Sequence, residues 1–274
     1  MSKTPPKDEM SFLDHLEELR WHLIRSVLAI VIIAVVAFLF KDFIFDVLLF
    51  GPKNKDFITY RWFCSISQTL GQGSSFCVEE LPFRIQSRTM AGQFSAHLWT
   101  SVLAGFILSF PYIIYEFWKF ISPGLYEKER KNARGFIFIA SILFFIGVLF
   151  GYYIVTPLSI NFLGNYSVSS EIFNDFDLGS YIGLLRASVL ASGIIFELPI
   201  IIYFLTRIGV ITPEFLKKNR KISLVLVLSL SAIITPPDVV SQIIVSIPIL
   251  ILYEVSIIIA KIVTKNQDKA LQNV

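Results

Sequence analysis

The run from Leu23 to Phe40, LIRSVLAIVIIAVVAFLF, holds a single charged side chain, Arg25. A membrane helix needs about 20 mostly apolar residues to cross a hydrocarbon core roughly 30 Å thick, so this run reads as a helix made for lipid. Comparable runs recur at Ala96–Ile121, Phe136–Pro157 and Tyr181–Thr206. Two shorter ones follow, Ile222–Ile234 and Val239–Ala260, separated by Thr235-Pro236-Pro237-Asp238. None alternates polar and apolar residues as an outer-membrane strand would. The predicted fold class is therefore an all-α integral membrane protein with six transmembrane helices, the last two short.

Composition points the same way. Of 274 residues, 54% are hydrophobic and 16% charged, with mean hydropathy +0.67. Soluble domains average about 25% charged residues, and this chain has too few charges to cover so much apolar surface. Disorder is excluded by the same numbers.

Lysine and arginine set the expected orientation. Residues before Leu23 carry three, loop 122–135 carries four, loop 207–221 carries five and the tail after Ala260 carries three, whereas loops 158–180 and 235–238 carry none. Loop 41–95 has six, spread along its length. Both termini are thus predicted to be cytoplasmic, in a multi-pass protein of the cytoplasmic (inner) membrane. The predicted organisation is an amphipathic cytoplasmic N-terminal helix over 1–22, a bundle over 23–263 and a cytoplasmic tail over 264–274. Loops 41–95, 158–180 and 235–238 would face outward, and 122–135 and 207–221 inward. The first apolar run, preceded by five acids and ended by Lys41-Asp42, reads as a retained anchor rather than a cleavable leader. The net charge of +3 belongs to this topology, and no basic stripe is long enough for a nucleic-acid partner.

Several segments exceed what anchoring needs. In Ser11–Arg20, Ser11 and Asp14 read as a capping box that starts a helix. Phe12, Leu16, Leu19 and Leu23 form one stripe, with Asp14, Glu18 and Arg25 roughly opposite. That helix either lies on the inner surface or runs on into the first span. Glu17 and Arg20 are spaced as an i,i+3 pair, the ordinary reading of a wet acidic face. After Phe120, Pro123-Gly124 ends a helix ahead of a charged run, Glu127–Lys131. Glu197 lies nine residues from Thr206, about 13 Å inside that end of its helix, where a carboxylate is costly unless protonated, paired or wet. Arg186 is too far along the helix to pair with it. Ile222–Ile234 spans only about 20 Å of helix, so the final hairpin is either re-entrant or sits in a thinned bilayer. Glu254 is a second buried carboxylate, read as structural. Cys64 and Cys77 fall in one outward loop, where a disulfide and two free thiols are both open to them. His15, His22 and His97 are isolated from any ligand set, with His15 and His22 read as surface residues. No phosphate loop, catalytic constellation or metal spacing occurs, so neither an enzyme nor a cofactor is predicted.

Four of these motifs together resemble the TatC family, the large six-span subunit of the twin-arginine protein translocase. They are His15-Leu16-Glu17-Glu18-Leu19-Arg20, Pro123-Gly124-Leu125-Tyr126-Glu127-Lys128-Glu129-Arg130, Phe196-Glu197-Leu198-Pro199 and Thr235–Gln242 reading TPPDVVSQ. The resemblance covers nearly the whole chain. It implies a receptor for twin-arginine signal peptides of folded cargo and a core for export on the proton-motive force. Carried over by motif, Glu18 and Glu129 are the arginine-binding acids, with Arg20, Phe120 and Pro123 on the same surface. Glu197 matches the family's buried intramembrane glutamate, and Pro236, Asp238 and Gln242 its outer hairpin. The implied partners are small single-span subunits of TatA and TatB type, further copies of the chain, and membrane lipid. Guanidinium groups suit carboxylates in a bidentate geometry that lysine cannot reproduce, which fits such a role. Loop 41–95 is longer than is usual for the family. Glu116, Lys119 and Arg186 are charges that its motif pattern leaves unassigned. A proton-coupled secondary transporter and a membrane scaffold are the competing readings. The first would carry internal repeats that this chain lacks, and the second would be indifferent to Glu18 and Glu129.

Overall fold

With neither proline nor glycine to interrupt it, Phe12–Leu39 forms one continuous helix, α1, in the computed structural model, polar in its first turns and apolar from Val27 on. The structure describes residues 12–69, 71, 77–78, 81–121 and 133–272, and the side chains of 16–69, 71, 77–78, 81–121 and 135–267. Ser11 of the expected capping box lies outside these residues.

The remaining helices are α2 (Ile58–Thr69), α3 (Gly92–Ile121), α4 (Ala133–Phe150), α5 (Thr156–Asn165), α6 (Leu178–Phe196), α7 (Leu198–Arg207), α8 (Pro213–Lys218), α9 (Arg220–Ile234) and α10 (Val239–Gln272). π-helical turns occupy Phe43–Leu49 and Gly151–Val155, so α4 and α5 form one rod with a widened turn between them. The Gly151 carbonyl accepts both the Thr156 backbone N–H, in a π-type bond, and the Thr156 hydroxyl, 2.8 Å away. Five stretches are long and apolar enough to span: Leu16–Leu39, Gly92–Ile121, Gly135–Asn165, Leu178–Arg207 and Val239–Gln267. Only 17% of the first one's apolar window is buried by the protein itself. A helix that is apolar all round and mostly uncovered is stable only in an apolar solvent, so the surrounding lipid supplies what a protein core would otherwise provide. The fifth expected run, α9, has 15 residues and falls below that length.

The chain divides into two compact units. The first comprises Met1–Leu39 and Ser101–Ser141, the second Phe40–Thr100 and Ile142–Val274. In the first, α1 and α3 approach so closely at Gly105 that a Cβ there would lie 2.6 Å from the Ile30 carbonyl and 2.9 Å from Ala34. In the second, Gly147 and Gly151 form a Gly-xxx-Gly face against Ser188, Ser192 and Gly193 of α6. A Cβ on Gly147 would stand 2.6 Å from the Ser192 carbonyl, and one on Gly151 2.7 Å from that of Ser188. Small residues substitute for hydrophobic driving force in lipid, because they let backbones touch.

Loop 41–95 is more structured than the sequence reading has it. It contains α2 and a three-residue strand, β1 (Arg84–Gln86), which pairs in parallel with β2 (Asp175–Asp177) from loop 158–180. Cys64 and Cys77 are joined by a disulfide. Tyrosine hydroxyls pin the chain between the first two spans: Tyr152 donates to Leu48 O and Tyr181 to Leu49 O, both at 2.8 Å, and Tyr60 donates to Pro52 O at 2.9 Å. The ordinary phenol range lies well below the Tyr60 value, which burial first and the nearby Tyr181 second push upward, so the hydroxyl stays a donor.

Candidate functional site

Glu18, Arg20 and Phe120 all belong to the first unit, at the end of α1 and the end of α3. Pro123 and Glu129 lie outside the described residues. Helical spacing lets Arg20 reach Glu17 at 3.5 Å, with both side chains more than half exposed. Such a pair stabilises little, but it leaves Glu18 uncommitted. Glu18 is half-buried, and its Oε2 is shielded from solvent without a hydrogen-bond partner among the described residues. A shielded carboxylate oxygen left unmatched is a site open to a cationic donor.

One turn further along α1, the structure corrects the sequence reading. His22 is not a surface residue: it is 6% exposed, and its Nδ1 lies 2.5 Å from Oε2 of Glu116 in α3, itself 3% exposed. Arg25 Nη1 stands 3.7 Å from the same oxygen, and a side-chain hydrogen bond from Tyr112 reaches the carboxylate as well. The His22 ring also meets Phe120 edge-on, with centroids 6.1 Å apart. Sequence signals could not show this, because the partners are 94 positions apart. Only the oddity of an acid within an apolar helix marked Glu116.

In the second unit, Pro199 interrupts helical bonding, so α6 ends at Phe196 and α7 begins at Leu198, with Glu197 at the break. Its side chain is 8% exposed, and Oε1 has no hydrogen-bond partner among the described residues. Arg186 lies on α6 as a half-buried side chain. Glu254, by contrast, is half exposed and ion-paired with Arg220 at 2.6 Å, which corrects its reading as a buried carboxylate.

The hairpin residues have local roles. Pro236 is buried in the turn that follows α9. Asp238 caps α10, its Oδ2 accepting from the Ser241 N–H at 2.8 Å and the Ser241 hydroxyl at 2.6 Å, and its Oδ1 from the Val240 N–H at 3.3 Å. Gln242 donates from Nε2 to the Leu228 carbonyl at 3.0 Å, tying α10 to α9. Burial disfavours ionisation of Asp238, but the hydrogen bonds from Ser241 and Val240 outweigh it and hold the carboxyl below its ordinary value. Asp238→Ala is expected to destabilise the hairpin by about 1 kcal/mol, the usual worth of such a cap. A carboxyl lowered on folding stabilises fully above its unfolded value, about 3.9, and the gain fades as pH falls through the folded value. The difference between wild type and variant should therefore shrink in acid, as read by hydrogen exchange at the start of α10. An unchanged difference at low pH would remove this account.

Comparison with known proteins follows the same lines. The family model for TatC, the Sec-independent protein translocase protein, matches residues 14–248. The Sec-independent protein translocase protein TatC of Blattabacterium sp. subsp. Periplaneta americana (strain BPLAN) is 48% identical over 262 residues, covering 95% of this chain and 98% of that protein. The TatC of Desulforapulum autotrophicum is 36% identical, covering 96% of this chain and 88% of that one. A crystal structure of the twin arginine translocase receptor TatC superposes with a TM-score of 0.67 at 33% identity, over 91% of this chain and 99% of that chain.

Proposed function

This chain belongs to the TatC family of Sec-independent protein translocase proteins, and from that membership we propose that it is the signal-peptide receptor of a twin-arginine translocase. It binds the paired arginines of folded cargo at the cytoplasmic face. With small single-span partner subunits of TatA and TatB type and further copies of itself, it organises export on the proton-motive force in the inner membrane. The family is one of protein translocase components and not a catalytic one.

The observation that carries this reading is the shielded, unmatched Oε2 of Glu18, in the same unit as the aromatic face of Phe120. Arginine offers donors in a fixed fork and stacks on aromatic rings, whereas lysine offers a compact, strongly hydrated charge. Glu129, by its motif, supplies the second acid, and Arg20 and Pro123 complete the surface. Glu197 acts within the membrane, and the hairpin Pro236–Gln242 faces outward.

In this proposal α9 is the short fifth span and α10 the sixth, with both termini inside. Pairing of β1 with β2 supports a common side for loops 41–95 and 158–180. Bonds from Tyr253 to the Leu216 carbonyl and from Gln267 to the Arg207 carbonyl support a common side for loop 207–221 and the far end of α10. The basic residues gathered in those latter segments favour that side as the cytoplasmic one.

The test is binding of a signal peptide carrying Arg-Arg, against its Lys-Lys twin, to the purified protein in lipid. Wild type should prefer Arg-Arg by about tenfold or more, and Glu18→Ala/Glu129→Ala should lose that preference. Equal binding of the two peptides by intact wild-type protein would overturn the receptor reading and favour a scaffold.

A further inference from the structure

Glu116 and His22 are buried within the first unit, and the receptor site as drawn above uses neither. A buried carboxylate is costly unless its oxygens are satisfied. Here one oxygen, Oε2, lies 2.5 Å from His22 Nδ1 and 3.7 Å from Arg25 Nη1. An ionised carboxylate only accepts, so the Nδ1–H of His22 is the donor, which fixes the ring's tautomer and its plane. The ring so fixed presents its edge region to Phe120 at 6.1 Å. The backbone of His22 is held in turn, since its carbonyl accepts from the Ser26 hydroxyl at 2.9 Å.

The two partners stand one turn deeper than the residues assigned to recognition. His22 is one helical turn from Glu18 and half a turn from Arg20, and Glu116 is one turn before Phe120. A contact across two helices at that level sets both the azimuth of α1 and its sliding register against α3. The close approach of the two helices at Gly105 fixes them about three turns away. The short buried hydrogen bond is a second, directional tie placed near the Glu18 end.

We propose that the Glu116–His22 contact is a positioning device for the signal-peptide site: it holds the Glu18 end of α1 against the Phe120 end of α3 at the spacing that two guanidinium groups require. The proposal rests on the receptor reading above. His22 and Glu116 act through Glu18 and Phe120 and do not touch the peptide. Discrimination between arginine and lysine, which depends on fork geometry, is then more sensitive to their loss than binding as such.

The experiment measures Kd for the Arg-Arg and Lys-Lys peptides on the full chain in lipid, and takes their ratio as the readout. A partly unfolded preparation lowers the number of sites but leaves that ratio unchanged, so a merely structural role would not move it. Glu116→Ala and His22→Leu are each expected to lower the ratio about fivefold or more, with the double variant no worse than either alone. Glu116→Gln keeps an acceptor for the ring nitrogen, and His22→Asn places an amide donor near the position of Nδ1. Both should hold the ratio within about twofold of wild type. A ratio unchanged in Glu116→Ala and His22→Leu would overturn the proposal while the receptor stands. A ratio lost equally in Glu116→Gln and Glu116→Ala would overturn it too, since charge and not the hydrogen bond would then be at work. A wild type without arginine preference would instead sink the receptor reading itself, before any variant is compared.

Discussion

Gly147→Leu is expected to keep α4 from docking on α6 and to leave little or no folded protein. The backbone reason is plain: a Cβ at this position would stand 2.6 Å from the Ser192 carbonyl oxygen, 2.7 Å from Phe196 Cβ and 2.9 Å from Gly193 Cα. Two of these three are main-chain atoms, so no rotamer change relieves the clash, and the helices must separate. Separation also undoes the contacts of Gly151 with Ser188 and Val189 one turn on. In lipid there is no compensating gain from burying the added leucine, because the tails around it are as apolar as a protein core. Overpacking of a tight interior costs about 1–3 kcal/mol, and forcing backbones apart should exceed that, reaching about 4 kcal/mol. Gly183→Ala on the same α6 is the control, since nothing lies within 4 Å of its added Cβ. It should be neutral or slightly stabilising. Thermal unfolding of the purified proteins, followed by tryptophan fluorescence, checks both. A Gly147→Leu variant that melts within about 2 °C of wild type would mean the two helices do not meet as described.

Glu197→Leu is expected to separate stability from function. The carboxylate sits where Pro199 breaks the helix, 8% exposed, with Oε1 unmatched among the described residues. Such a group costs several kcal/mol in a membrane interior. Replacing it with an apolar side chain of similar size should stabilise the second unit by about 2 kcal/mol, the price of an unmet buried acceptor. If Glu197 acts in translocation, export of a folded cargo should fall at least about tenfold in the same variant. Melting temperature and export are measured on one preparation and one strain. A variant that is less stable than wild type would show that the carboxylate is satisfied in the native state. One that is more stable and still exports would make Glu197 an evolutionary remnant with no part in the passage.

These expectations divide the molecule by what its sequence made legible. The long apolar runs were plain, and the helices Phe12–Leu39, Gly92–Ile121 and Val239–Gln272 overlie three of them, each extended at one end by flanking residues outside the run. The break at Glu197 was not read, since Tyr181–Thr206 is one apolar run and only Pro199 within it marks the interruption. The Gly147-xxx-Gly151 spacing also passed unread, because only the facing Ser188, Ser192 and Gly193 give it a purpose. Helix α2 was hidden because Ile58–Thr69 is too polar overall for a span and lies in a stretch read only for its charges and cysteines, although its apolar residues do keep to one face. The contact of His22 with Glu116 was beyond reach, since sequence periodicity reports neighbours three or four residues apart and these are 94 apart. Recognition of the four motifs supplied the proposed site residues, and packing supplied the proposed reason why two of its elements stand where they do.

The pairing of β1 with β2 sets a timetable for assembly. Arg88 must find the carbonyl of Asp175, 87 positions later in the chain, and Asp177 then receives the Arg88 N–H while capping α6. A ribosome has to deliver α3, α4 and α5 before the second strand exists. Until then the first strand waits with its edge unmet, although the helix carrying Cys64 is already held, since Thr59 donates to the Tyr153 carbonyl and Tyr60 to that of Pro157. The cap formed by these two loops is therefore completed only once the chain leading into α6 has been made.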